Sequence, residues 1–211
     1  MSPRPALLLA ATLLSGAASA SPFGNGKLLL TGGVSSIDGA AGGGLTPWAV
    51  TGSYATGSQV GATAFATRVR SQDYALSVTG VAVGFGDRVE LSIARQDFDT
   101  GDNLAPLGLP GLRLKMDVIG AKLRLAGDAV LDSDSALPQI AIGVLHKRTH
   151  AGALAPTLTG ALGARTRGTD VYLSATKLFL AQGVLVNGTL RATKANQGGL
   201  LGFGSTAHSG Y

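Results

Sequence analysis

Cysteine is absent from the 211 residues. That excludes disulfide staples, thiolate metal ligands and a lipid-modified N-terminal cysteine, so stability has to come from packing and sheet closure. Charge is scarce: Asp, Glu, Lys and Arg make up 14% of the chain, too few for a solvated disordered polymer. The basic residues are scattered, with no Lys/Arg run interleaved with aromatics, and no nucleic-acid partner is expected. No segment holds about eighteen uninterrupted apolar residues, so no transmembrane helix is expected. Aromatics are 5%, low for a protein with two aromatic girdles at membrane interfaces.

What is abundant is glycine, 32 residues, alongside 45% hydrophobic residues and a mean hydropathy of +0.29. Glycine at that level in a polar chain would mean a linker; here there is ample apolar surface to bury. The first twenty residues form a separate object. Arg4 supplies a positive start, Ala6 to Leu14 an apolar stretch, and Ala18-Ser19-Ala20 a small-residue cleavage site. This is read as a secretory signal peptide, leaving 21–211 as one β-domain with 16 basic and 12 acidic side chains. An exported, bacterial setting fits these facts.

Alternation dominates the rest. In D-R-V-E-L-S-I-A-R-Q-D-F (87–98), Val89, Leu91 and Ile93 oppose Arg88, Glu90, Ser92 and Ala94, an oily face against a polar one. Trp48, Val50 and Tyr54 share a parity; Phe65 and Val69 lie in another run, and Ile140, Ile142 and Val144 in a third. Val171 and Leu173, then Val184, Val186 and Leu190, continue the pattern. Tyr74, Leu76 and Val78 give way at Gly80 to Val81, Val83 and Phe85, and Leu112 to Val118 changes phase at Gly120. A glycine at a parity switch predicts a β-bulge.

Connections at 57–60, 85–88 and 180–183 are short, whereas 99–111 and 148–169 are long and rich in Gly, Pro and polar residues. Short turns on one rim and long loops on the other predict an all-β, up-and-down antiparallel barrel of the outer-membrane type. The stretch 127–137 falls on the short-turn rim despite its length. Parity requires an upward strand before the one starting at Trp48, and Lys27 to Ser36 is the candidate, with 37–47 as the first outer loop. About nine strands result, an odd number. The ending S-T-A-H-S-G-Y does not alternate, so C-terminal truncation or a shifted frame after Gly204 is expected.

Several stretches carry a family resemblance: G-K-L-L-L-T-G-G-V-S-S-I-D-G-A-A-G-G-G-L-T-P-W-A-V at 26–50, D-R-V-E-L-S-I-A-R-Q-D-F-D-T-G at 87–101, G-T-D-V-Y-L-S-A-T-K-L-F-L at 168–180 and L-R-A-T-K-A-N-Q-G-G-L-L-G-F-G at 190–204. Over about 26–204 the chain resembles the proteobacterial domain-of-unknown-function family 3034. The resemblance implies an exported, outer-membrane-barrel-like protein. It brings no catalytic residues, and departs from the family pattern at Ser205, where further strands would follow.

Chemical motifs are sparse. His146 and His150 have the spacing of a helical metal pair but sit at a strand end, without the Glu of a zincin motif. The run Gly39 to Gly44 lacks the Gly-Lys-Ser/Thr of a phosphate loop. Ser92, Ser174 and His146 are the candidates for a lipid-hydrolysing arrangement, with nothing in their spacing to select them. No cofactor and no metal are expected.

The mid-strand charges say more. A Lys or Arg on a lipid face costs about 2–4 kcal/mol at the bilayer midplane. Arg88, Glu90, Arg113, Lys115, Asp117, Lys122, Arg124 and Arg191 are therefore expected to face the lumen, together with Arg68 and Arg70. Arg95 and Lys177, on the apolar parity, are placed near a rim or beyond a bulge. Trp48, Tyr74, Phe85, Phe98, Tyr172 and Phe179, at or near strand ends, are the candidate membrane-interface aromatics.

The expectation is a non-enzymatic outer-membrane barrel of structural or pore type, with membrane lipid as partner. The alternative is a soluble periplasmic barrel that binds an apolar ligand, with oily faces inward and charged faces in water. A lipid-acting enzyme comes third.

Overall fold

A computed structural model describes residues 27–29, 35–53, 55–129, 135 and 137–206. The signal-peptide region, the central part of the 27–36 segment, Tyr54 and the last five residues lie outside that set. Its strands are β1 (Lys27–Leu29), β2 (Gly42–Gly43), β3 (Thr46–Pro47), β4 (Val60–Arg70), β5 (Ala75–Phe85), β6 (Val89–Asp99), β7 (Arg113–Ala126), β8 (Gln139–His150), β9 (Arg167–Phe179) and β10 (Val184–Ala192). From β4 to β10 each long strand pairs antiparallel with the next, and the seven curl into a half-barrel. No described helix is long and apolar enough to cross a membrane.

The up-and-down order and the loop asymmetry agree with the alternation. Residues 86–88 and 180–183 make tight connections at one end, where the chain also passes from β7 to β8; 100–112 and 151–166 form the long loops at the other. The tight turn at 71–74 shares the long-loop end.

Three expectations are corrected. First, β1 pairs parallel with β4 rather than antiparallel with a strand at Trp48. Second, residues 48–53 form no strand of the sheet. The chain from Ser35 to Ser53 folds into the concave side of the curl, where inward side chains hold its backbone. Third, Gly80 and Gly120 are not bulges: β5 pairs with both neighbours in unbroken register from Ala75 to Phe85, and β7 does the same through Gly120. The register shift in β7 falls at 124–126.

Gly80 and Gly120 instead mark where the oily side chains change faces. Towards the short-turn end they point outward: Val81, Val89, Leu91, Ile93, Ile119, Leu123, Ile142, Val144, Val171, Leu173, Val184, Val186 and Leu190 are exposed. Towards the long loops they point inward. Met116, Val118, Leu145 and Tyr172 pack with Ala40, while Leu112, Leu114, Ala151, Leu158 and Ala164 form a second cluster beneath the long loops. Each fully buried Leu there contributes about 1.5–3 kcal/mol relative to exposure.

Two of the glycines have a clear packing reason. The Phe65 ring lies over its cross-strand partner Gly80, and the Tyr172 ring over its partner Gly143, where a Cβ would overlap the ring atoms. An aromatic covering a cross-strand glycine fills the gap left by the missing side chain and shields the strand pair.

Candidate functional site

The inner face carries two charged centres. In the first, Glu90 on β6 and its register partner Lys122 on β7 face the interior, each almost fully buried. Lys122 Nζ lies 3.1 Å from Glu90 Oε1. The remaining capacity of both groups goes to the 35–53 segment. The amides of Ala41 and Gly52 donate to Glu90 at 3.1 and 2.6 Å, and Lys122 donates to the carbonyls of Ala41 and Val50 at 3.1 and 2.8 Å. A buried carboxylate and ammonium thus become a clamp on backbone that lies outside the main sheet.

The second centre holds two acids and two bases. Lys147 Nζ is 2.9 Å from Asp38 Oδ1 and 3.2 Å from Asp170 Oδ2, and donates to the Gly198 carbonyl at 3.0 Å. Arg191 reaches Asp38 Oδ2 at 2.9 Å and lies 3.9 Å from Asp170. Asp170 Oδ2 is close to Lys147 yet not aligned for a hydrogen bond, so that contact is electrostatic. The four charges sum to zero, which makes their shared burial tolerable. Neutral groups continue the clamp: Thr176 accepts from the Ala49 amide at 2.8 Å, Gln139 donates to the Ala49 carbonyl at 2.8 Å, and Ser174 and Thr189 donate to the Pro47 carbonyl at 2.9 and 2.8 Å. Pairings from 38 to 153 residues apart in sequence tie the segment across β6 to β10.

Of the charges expected in the lumen, Glu90, Lys122 and Arg191 are there. Arg124 lies at the short-turn end, paired with Asp87 and with Asp128 at 3.1 Å, and Arg88 is exposed in the turn. Arg113, Lys115 and Asp117 differ from expectation: they stand on the outer face, because beyond Gly120 their oily neighbours Leu114, Met116 and Val118 take the interior. Arg68 and Arg70 are exposed at the long-loop end of β4. Arg95 belongs to an outer collar without any bulge: it binds Asp117 at 2.6 Å, while Arg113 binds Asp97 at 3.1 Å and His150 binds Asp117 at 3.1 Å. Lys177 is buried near the short-turn end, bonded to the Asp128 carbonyl at 3.1 Å.

The aromatics divide as well. Phe85 and Phe179 are exposed at the short-turn end. Tyr74 and Phe98 stack at the long-loop end, centroids 5.8 Å apart. Tyr172 and Trp48 correct the expectation. Tyr172 is buried over Gly143, and Trp48 packs on Gly43 within the interior segment.

His146 and His150, four apart on the outer face of β8, are separated by about 13 Å of strand. Their partners are Thr169 and Asp117 respectively, so they are not brought together. Ser92 and Ser174 face inward while His146 faces outward, so the lipid-hydrolysing arrangement is not assembled. Asp38, Lys147 and Asp170 are site residues that sequence reasoning missed. Lys147 shares its parity with Leu145 and Thr149, and Asp170 with Tyr172; that mid-strand alternation was the available signal.

No curated protein and no solved structure matches the chain. Residues 31–211, past the expected departure at Ser205, match the family described as "Protein of unknown function (DUF3034)", and the chain belongs to that family.

Proposed function

We propose that this protein is a structural β-protein of the outer membrane, with its oily belt against lipid and its interior sealed by the 35–53 segment. One observation carries the reading: in the short-turn half of β5 to β10 the exposed outer face is oily, while the covered inner face of the sheet holds Glu90, Lys122, Lys147, Asp170 and Arg191. That is the reverse of a water-soluble sheet, and it is the arrangement that lipid outside selects. The belt runs from Leu125 to Ile119 on β7, about 20 Å along the strand and about 15 Å along the membrane normal at the usual strand tilt, against a band roughly 25 Å tall in outer-membrane barrels. A mismatch of that size costs only fractions of a kcal/mol per Å through local thinning of the bilayer.

The long-loop half has the opposite pattern, apolar inside and ion-paired outside, and belongs in water beyond the lipid. The signal-peptide-like start supports export. A structural role is favoured over a pore because the clamped segment occupies the concave side that a channel would need open. Membrane fractionation, followed by electrophoresis of boiled and unboiled samples, tests the reading. A heat-dependent mobility shift in the membrane fraction is expected; recovery in the soluble periplasm without such a shift overturns it.

A further inference from the structure

Among the described residues, one register pair of the outer face sets two arginines opposite each other. In the row just beyond the belt, register aligns Thr79, Arg95, Asp117, Arg148 and Arg167 across β5 to β9. Asp117 is directly beside Arg148 but turns to Arg95, at 2.6 and 3.1 Å, and to His150 at 3.1 Å. Arg148 and Arg167 therefore stand opposite one another on adjacent strands, exposed, and neither has an ion-pair partner among the described residues. Like charges directly opposite on a sheet destabilise it. Two guanidinium forks side by side are also the geometry that receives the oxygens of a phosphate.

The surroundings define the rest of the ligand. A groove of about 810 Å³ joins these arginines to Val81, Ile93 and Ile119, the last oily row of the belt. A neighbouring hollow of about 320 Å³ shares Arg167 and adds Arg165. An anion site with an apolar trough running from it into the belt fits an amphiphile with a phosphate head. We infer that Arg148 and Arg167 bind the phosphate of a membrane lipid whose acyl chains lie along Val81, Ile93 and Ile119. This inference rests on the membrane reading above, which sets the arginines at headgroup depth.

The test uses the full chain. Its flotation with phosphatidylcholine vesicles is measured first. Native mass spectrometry from detergent then counts retained lipid in an equimolar mixture of phosphatidic acid and phosphatidylcholine. The wild type is expected to float and to retain phosphatidic acid roughly tenfold over phosphatidylcholine, the effect of about 1.4 kcal/mol. R148Q/R167Q should lose that preference, R68Q/R70Q should keep it, and R148K/R167K should keep part of it. Unchanged Trp48 emission establishes that each variant is folded. Failure to float overturns both this inference and the membrane reading. Flotation with equal retention of the two lipids, or a preference that survives in R148Q/R167Q, overturns this inference alone. Displacement of the lipid by inorganic phosphate alone would refute the lipid assignment.

Discussion

Replacing Glu90 by Arg removes the centre of the interior clamp. Glu90 accepts from Lys122 Nζ at 3.1 Å and from the amides of Ala41 and Gly52 at 3.1 and 2.6 Å. The substitution leaves Lys122 buried without its counter-charge, a loss of about 3–5 kcal/mol for a broken buried pair. It also strands two buried amides, at about 1–3 kcal/mol each. Together these reach the entire stability of an ordinary domain, about 5–15 kcal/mol. The new guanidinium adds repulsion against Lys122. E90R should therefore release the 35–53 segment, seen as a red shift of Trp48 emission and cleavage within that segment under limited proteolysis. E90Q keeps one acceptor oxygen for an amide but still leaves Lys122 without its counter-charge, and should lose about 3–5 kcal/mol, less than E90R. A double-mutant cycle of E90Q and K122M should show strong coupling, because removing both charges relieves the unpaired one. If E90R keeps the wild-type emission, protease resistance and urea midpoint, the carboxylate is solvated and the clamp argument is wrong.

The outer belt gives a contrasting set. If the belt faces lipid as proposed, L91R should cost about 2–4 kcal/mol in vesicles, measured as a lower urea midpoint; an unchanged midpoint would mean this face is wet. G143A drives a Cβ into the Tyr172 ring and should destabilise by about 1–3 kcal/mol; with Y172A added the same change should cost far less. The Arg95–Asp117 pair is exposed, so R95A should leave the thermal midpoint unmoved within error; a clear drop would show that the collar is structural.

The alternation of Val89, Leu91 and Ile93 against Glu90 and Ser92 was legible because face parity is local: neighbours along one strand define it. The sheet order and the two rims followed from the same pattern and from connection lengths. Alternation does not report what lies on each side, and that is where Arg113, Lys115 and Asp117 were misplaced. Their strand keeps its register through Gly120 while the oily parity passes from the outer to the inner face, as the proposed change from lipid to water outside would require. The phase change at Gly80 follows the same pattern, so both glycines mark where the oily side chains change faces with no kink in the backbone. Trp48 was misread for a different reason. Its segment is held by Glu90, Gln139, Ser174 and Thr176, partners set by tertiary folding, and an extended chain clamped by side chains has the same local periodicity as a strand.

The open edges of the half-barrel carry the sharpest demand of the membrane reading. Among the described residues β10 pairs with β9 alone, so about half of its amides and carbonyls point away from the sheet with no described strand to receive them. In water such an edge is tolerated; in lipid each bare group costs several kcal/mol, and exposed edges do not occur there. Val184, Val186 and Leu190 carry the oily belt onto this same strand, so the edge is at lipid depth if the belt is. The outer edge of β4 faces the same requirement, since among the described residues β1 pairs with Gly61 to Thr63 alone. In vesicles, then, both strands must hydrogen-bond to further strands, and amide exchange should be slow at nearly every residue of Val184–Ala192. An alternating pattern in the vesicle-bound protein, with every second amide exchanging as fast as free peptide, would place the β10 edge in water and refute the lipid assignment of the belt.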